Sequence, residues 1–363
     1  LWQYREVIHW SGYNKPKKPL LYLCSTFDIM KIIIPMAGMG KRMRPHTLTV
    51  PKPLIAVAGK PIVQRLVEDI AATVSEPIEE IAFVVGHFGK QVEDGLIAIA
   101  ESMGAKGKIC YQDEPLGTAH AILCAGDTVS GNIIIAFADT LFKTDFRIDP
   151  EKDGVIWVNK VDAWQNFGVV ELDGDGHITN FVEKPQEFVS DLAIIGVYYI
   201  KDGDTLRKEM QYLLDNDIRD KGEYQLTNAL EAMRQKGAKF VPGAVDEWLD
   251  CGNKDATVYT NQRVLELKKG SEQLIAGNLV SRNSVVIEPC YIGPDVVLDN
   301  AVVGPHVSLG KGTVVKNAVV SNSIIQESVH IHNRIITNSM VGSHVVLEGH
   351  PDDLSLSDYS TSK

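Results

Sequence analysis

Cysteine is scarce in these 363 residues: Cys24, Cys110, Cys124, Cys251 and Cys290 stand far apart, odd in number and without a Cys-x-x-Cys pair. That pattern argues against a disulfide-stapled secreted scaffold and a thiolate zinc site, and it fits reduced thiols in a cytoplasm. Long apolar runs are missing as well. No stretch reaches the roughly 18 residues a spanning helix needs, so no membrane partner is expected. Positive charge is short, with a net of −11. Proteins that neutralise a nucleic-acid backbone are more often basic, so that partner is not expected either. Residues 1–29 lack the charged-then-apolar order of a secretory leader and show no periodicity. Met30 directly precedes the first convincing strand, and 1–29 is read as an extension that is not native.

What is present is ample apolar material, 44% of the chain, in a length that suits two domains. From residue 31 to about 245, strand-like and helix-like segments alternate. Lys31–Ile34, Ile81–Val85, Ile109–Gln112, Ile133–Phe137 and Val155–Val158 read as strands. Pro61 opens a helix with Val63, Leu66, Val67 and Ile70 on one face; Val92, Leu96, Ile99 and Met103 mark the next, and Thr118–Ala125 a third. Alternation of this kind predicts an α/β fold, a Rossmann-like, mostly parallel sheet between helices, with ligands at the carboxyl ends of its strands. Phe167–Leu172 and Ile178–Val182 flank Asp173-Gly174-Asp175-Gly176, a hairpin signal. Helices at about Thr205–Leu214 and Gln225–Lys236 follow.

Past residue 275 the texture changes. Aliphatics recur at 292, 298, 303, 309, 315, 320, 325, 331, 336, 341 and 347, always five or six residues apart, with Gly, Asn, Asp or Ser between. One apolar residue per short step predicts a solenoid whose flat faces each send one side chain inward. A β-sandwich would alternate every second residue and turn every eight to twelve. The reading is an α/β domain at 30–270, a solenoid of about four coils at 275–349 and a frayed tail at 350–363.

Chemistry concentrates in Pro35-Met36-Ala37-Gly38-Met39-Gly40-Lys41-Arg42-Met43-Arg44-Pro45, closed by Pro51-Lys52-Pro53. A strand end, a glycine turn and a cation cluster fall within about twenty residues. Without a Cβ, the backbone at Gly38 and Gly40 lets an anion approach closely. Arg42 and Lys52 then bring charge where phosphates need it. No Gly-Lys-Ser/Thr follows, so this is not a P-loop. Asp139 ends the apolar run from Ile133, and Asp250 ends Glu247-Trp248-Leu249. Taken alone, each is a turn residue or a metal ligand.

The glycine segment resembles the signature of the sugar-1-phosphate nucleotidylyltransferases, with Met36 and Met43 standing where Ala and Leu are usual. The resemblance continues to about Gly252. The solenoid resembles the hexapeptide-repeat left-handed β-helix, as in Ile292-Gly293-Pro294-Asp295-Val296. The resemblance implies a nucleoside triphosphate and a sugar 1-phosphate as substrates, with Mg²⁺ held by Asp139 and Asp250. It implies Arg42, Lys52 and Lys184 as catalytic cations, and Ala37, Gly38, Gly40, Gln112, Gly117 and Thr118 around the nucleotide. Gly168, Glu183, Lys184 and Ile195 fall on the sugar side, from Phe167-Gly168-Val169-Val170, Glu183-Lys184-Pro185 and Ile195-Gly196. Leu116-Gly117-Thr118-Ala119-His120-Ala121 is closer to the uridylyl- and thymidylyltransferase branches. Glucose 1-phosphate with dTTP or UTP is therefore expected first, N-acetylglucosamine or muramic-type sugar phosphates next, and a GTP-dependent mannose-1-phosphate enzyme last. A non-catalytic regulatory subunit would have lost Arg42, Lys52 or the two acids. An acetyl-transferring solenoid would need more coils, so oligomer contacts or regulation are expected of it, in a homo-oligomer. Lys221-Gly222-Glu223-Tyr224-Gln225-Leu226-Thr227-Asn228 resembles a further family element, with Asn228 in place of Asp. His330 and His332 are read as a solvated surface pair.

Overall fold

The structure is a computed structural model that describes residues 29–38 and 40–350, with Ser355 and Ser357. The expected extension and tail, and Cys24, lie almost wholly outside the described residues. Cys110, Cys124, Cys251 and Cys290 are free thiols. Among the described residues no helix is long and apolar enough to cross a membrane.

The first strand, β1 (Met30–Pro35), shows why the sheet is buried on both sides. Ile32 and Ile34 join one apolar cluster and Ile33 joins another, so alternate side chains feed two cores. A two-strand ribbon, β2 (Ala56–Val57) and β3 (Lys60–Pro61), then leads into α1 (Ile62–Ala71), with Pro61 at its N-cap. Ile62, Val63, Leu66, Val67 and Ile70 are buried, the face the periodicity predicts. The alternation continues through β4 (Ile78–Val85), α2 (Lys90–Ser102), β5 (Lys106–Tyr111), α3 (Thr118–Leu123) and β6 (Ile133–Ala136). Strands β6, β1, β4 and β5 lie side by side and parallel.

The other half of the sheet departs from that pattern. After β7 (Thr140–Lys143) come β8 (Gly154–Lys160) and the hairpin of β9 (Gly168–Leu172) with β10 (Ile178–Glu183). The nine-residue strand β11 (Leu192–Ile200) runs antiparallel to β6, β8 and β9 and so joins the two halves. The sheet is therefore mixed, in the order β10-β9-β11-β6-β1-β4-β5, with β8 beside β11. Sequence reasoning did not place β11 as a strand. Its register slips between Ile194 and Tyr198, where Gly196 takes a φ of +87°. Helices α4 (Gly203–Asp215) and α5 (Leu226–Gln235) follow as predicted. Strand β12 (Phe240–Ala244) pairs with β8, and β13 (Glu247–Asp250) forms a separate antiparallel ribbon with β7.

A sixth helix, α6 (Lys254–Lys268), was not anticipated. It bridges to the C-terminal unit, which is the left-handed β-helix the repeat implies. Three stacks of parallel strands run 280/297/314/330/346, 285/302/319/335 and 291/308/324/340. Each step is thus 16 or 17 residues, a little over four coils in total. Inside lie Ile292, Leu298, Val303, Leu309, Val315, Val320, Ile325 and Ile331. A ladder of Asn283, Asn300, Asn317 and Asn333 stacks amide on amide at one corner, each residue at positive φ. The third stack faces the α/β unit. Tyr291 packs over Gly59, Ile324 enters the α/β core, and Ser308 donates to Asn261 of α6 at 2.7 Å.

Candidate active site

The carboxyl ends of β1, β5 and β6 open into a cleft of about 600 Å³, the place an open α/β sheet offers a ligand. Its lining includes Ala37, Gly38, Gly40, Arg42, Lys52, Gln112, Gly117, Thr118 and Asp139, which the sequence had singled out. It also includes Gly252 and Glu223.

Gly40 adopts a left-handed conformation, φ +55°, and a Cβ there would stand 3.0 Å from the Lys52 Cβ and 3.1 Å from Thr47 Cγ2. The glycine turn therefore lies directly against Lys52, and the Thr47 hydroxyl donates to the Gly40 carbonyl at 2.9 Å. Lys52 is largely buried, and its Nζ donates to Asp139 Oδ2 at 2.9 Å.

Ribbon pairing brings the second acid to the first. Thr140 is the register partner of Asp250, and the Cys251 N–H donates to the Asp139 carbonyl at 3.0 Å. The Asp250 Oδ1 accepts the Gly252 N–H at 2.9 Å. Any Cβ on Gly252 would crowd both Asp250 oxygens and approach Arg42 Nη2 to 3.3 Å, so Arg42 reaches over this turn. Burial, and then the neighbouring Asp139 charge, pushes the Asp250 carboxyl above its ordinary range, against the pull of Lys52 and Arg42. Two carboxylates held this close suit a cation. An all-oxygen pair that leaves room for phosphate oxygens has the donor chemistry of magnesium. Among the described residues no group of three or more His, Cys, Asp or Glu side chains is placed to hold a metal, so the pair would rely on those further oxygens. Burial drives the adjacent Cys251 thiol up to about 12, so no thiolate nucleophile stands here.

At the far end of the cleft, Gly117 has a φ of +124° and lies so close to Tyr224 that a Cβ would sit 2.5 Å from the Tyr224 carbonyl oxygen. Gln112 Nε2 donates to the Gly117 carbonyl at 3.4 Å. Thr118 lines the cleft, but its hydroxyl is engaged: it accepts the Leu226 N–H at 2.8 Å and donates to Gln225 at 3.1 Å, fastening α3 to the start of α5.

The residues expected on the sugar side form a second cluster that is not part of this lining. Glu183 Oε2 stands 3.0 Å from the Cβ that Gly168 lacks, and it accepts the Thr227 hydroxyl at 3.4 Å. Lys184 Nζ is 3.5 Å from Glu183 Oε1, and Lys184 holds a φ of +43°. Lys221 donates to the carbonyls of both Glu183 and Lys184, pinning that turn. Phe167 meets Trp248 edge-on at 5.2 Å, which ties the cluster to the strand of Asp250. Ile195 stays apart. Its side chain is 2% exposed in the core, and its carbonyl accepts the Thr140 hydroxyl at 2.9 Å. Gly196, one residue on, faces Phe137 of the cleft. Glu223, whose role the sequence left open, belongs to the Lys221–Asn228 element singled out there, and the fold sets its Cβ against Gly117.

Residues 31–266 match the nucleotidyl transferase family. The chain is 30% identical over 340 residues to a glucose-1-phosphate thymidylyltransferase of Streptomyces antibioticus, covering 87% of this chain and 93% of that one. It is 29% identical over 335 residues to the bifunctional protein GlmU of Methanococcus maripaludis, covering 87% and 78%. A crystal structure of UDP-glucose pyrophosphorylase with UDP-glucose superposes with a TM-score of 0.53 at 22% identity, over 66% of this chain and 99% of that chain, a likeness of fold.

Proposed function

The chain belongs to the nucleotidyl transferase family and is a sugar-1-phosphate nucleotidyltransferase; we propose that it joins dTTP or UTP to glucose 1-phosphate, releasing pyrophosphate. The observation that carries this reading is the convergence of Arg42, Lys52, Asp139 and Asp250 at one end of a cleft whose other end holds Gln112 and Gly117. Residues 30–270 form the catalytic unit in this reading, and 275–349 the β-helix.

The reaction needs no covalent intermediate. A sugar-1-phosphate oxygen attacks the α-phosphorus in line, the bond to the β-phosphate oxygen breaks, and pyrophosphate leaves. Positioning and charge neutralisation supply most of the rate for such transfers. Ala37, Gly38 and Gly40 leave the backbone open to the triphosphate, and Arg42 meets the charge that builds on the leaving group. Lys52 and Lys184 draw two anions together that would otherwise repel. Gln112 and Gly117 hold the base, while Thr118 keeps their helix in register. Gly168 and Glu183 take the sugar hydroxyls, with Ile195 shaping that side from beneath through its backbone. Asp139 and Asp250 would hold Mg²⁺, whose chemistry there is to neutralise phosphate charge.

The β-helix supports a homo-oligomeric reading. Its second stack presents Val285, Val302, Val319 and Ile335 outward in one row; Ile335 is 82% exposed, and the groove along the row is edged by the Asn ladder and by Arg334. An aliphatic row with a single cation at its edge offers apolar surface that a second copy could bury.

The deciding experiment measures pyrophosphate release from a matrix of the four NTPs and dTTP against several sugar 1-phosphates, with Mg²⁺ and with chelator. Mg²⁺-dependent release from glucose 1-phosphate with dTTP or UTP is expected. A GTP and mannose 1-phosphate signal, or silence throughout, would overturn the substrate assignment.

A further inference from the structure

Gln112 is held from two sides. Its Nε2 lies 3.4 Å from the Gly117 carbonyl oxygen and 3.1 Å from His120 Nδ1. A carbonyl oxygen only accepts, so the edge of the amide turned toward Gly117 is its NH₂. His120 Nδ1 must then accept as well, which fixes the imidazole as the tautomer with its proton on Nε2. Both amide hydrogens are thereby engaged. The remaining group, Oε1, accepts nothing from the described residues, and neither does the Gly117 N–H donate to any of them. Gln112 and Gly117 both line the cleft, so it is offered one acceptor and one donor five residues apart in sequence.

We propose that His120 is a positioning residue for the nucleobase, holding the Gln112 amide in the one orientation that turns its oxygen to the cleft. This rests on the nucleotide reading given above. The acceptor on Gln112 and the donor on Gly117 match the imide edge of uracil or thymine, where a ring N–H adjoins a carbonyl. In the same register cytosine brings a lone pair at N3 against Oε1 and is disfavoured. His120 does not line the cleft, so its effect on the base passes through Gln112 alone. The first turn of α3 sets the spacing, since Gly117 is the N-cap and His120 lies three residues along.

The test is calorimetric titration of UTP, dTTP and CTP into the full chain, the His120→Ala variant and the His120→Asn variant, with pyrophosphate-release kinetics alongside. Asn places an oxygen near the Nδ1 position and keeps the acceptor. His120→Ala is expected to weaken UTP and dTTP binding about fivefold to tenfold, the scale of one lost hydrogen bond. It should also narrow the preference over CTP, leave the KM for sugar 1-phosphate and the melting temperature unchanged, and be rescued by His120→Asn. Unchanged UTP and dTTP affinity in His120→Ala would overturn the proposal. So would an equal rise in the sugar 1-phosphate KM, or failure of the Asn rescue. If the unsubstituted chain bound none of the three nucleotides, the nucleotide reading itself would fall, and this one with it.

Discussion

Lys52 Nζ and Asp139 Oδ2 stand 2.9 Å apart, the lysine largely buried and the aspartate 43% exposed at its side chain. The cation is thus fixed by the fold, while the anion faces the cleft. Removing the lysine leaves Asp139 and Asp250 facing one another with less compensation, and it takes away a charge that phosphates would meet. Lys52→Met is expected to lower kcat about 10²–10³-fold, the usual scale for one transition-state donor. Steady-state pyrophosphate release checks it, and a loss below tenfold would remove Lys52 from the catalytic set.

Substitution of either acid separates charge from shape. Asp139→Asn and Asp250→Asn keep volume but halve the anionic charge available to a divalent cation. Each is expected to raise the Mg²⁺ concentration needed for half-maximal activity at least tenfold, with the sugar 1-phosphate KM little changed. A magnesium titration of activity decides the matter. Curves superimposable on that of the unsubstituted chain would place the cation elsewhere.

Among the glycines that line the cleft, Gly117 is the one where an added methyl meets the closest contact. Alanine there would have to hold a φ of +124° with its Cβ 2.5 Å from the Tyr224 carbonyl. Gly117→Ala is expected to lower the melting temperature by several degrees and to abolish measurable nucleotide binding, because α3 must shift away from α5. Retained binding at full affinity would show that the turn has room to spare.

Asp69, on α1 beneath the β7–β13 ribbon, gives a pH signature. Burial lifts its carboxyl to about 6, against the pull of Lys268 and Arg65. The folded protein therefore binds this proton more tightly than the unfolded chain. The associated stability is fully present below the unfolded value near 4 and is lost as the pH rises through about 6. Asp69→Asn removes the buried charge, so it is expected to stabilise by roughly 1–3 kcal/mol at pH 8 and by little at pH 4. Thermal melts at the two pH values test this; equal shifts at both would rule out the titration.

The aliphatic row on the β-helix is tested by native mass. Ile335→Asp is expected to yield monomers near 39.9 kDa by light scattering, with circular dichroism and melting unchanged, since the side chain points away from the coil interior. Val346→Asp, on the neighbouring stack, serves as the control and should leave the mass as it was. A native mass insensitive to Ile335→Asp would move the interface off this face.

The glycine turn and the two acids were legible because each sits at a strand end with a local signal: paired glycines, a proline frame, an acid closing an apolar run. The five- or six-residue beat of the solenoid was equally local. Helix α6 was not legible, because it is covered on two sides. Val258, Val264 and Leu265 meet the α/β core, while Asn261 faces the β-helix, so no single apolar stripe stands out. Strand β11 hid for a related reason: Leu192–Ile200 is an apolar run cut by Gly196, which reads as a break until the bulge is seen. Ile195 was placed by family position in the sugar pocket, whereas the bulge turns its side chain to the core and leaves Gly196 beside Phe137. Such facing is a tertiary outcome that one-dimensional spacing does not carry.

Asn261 is fully buried between the two units, and its Oδ1 accepts both the Ala58 N–H at 2.9 Å and the Ser308 hydroxyl at 2.7 Å. Ala58 and Asn261 both belong to the α/β unit, so prising the units apart would break the Ser308–Asn261 bond and expose the apolar contacts that Tyr291 and Ile324 make across the seam, a cost that opposes hinging there. The molecule is welded there. Breathing that admits two bulky anions and lets pyrophosphate out is therefore expected within the α/β unit, with the β-helix riding along as ballast.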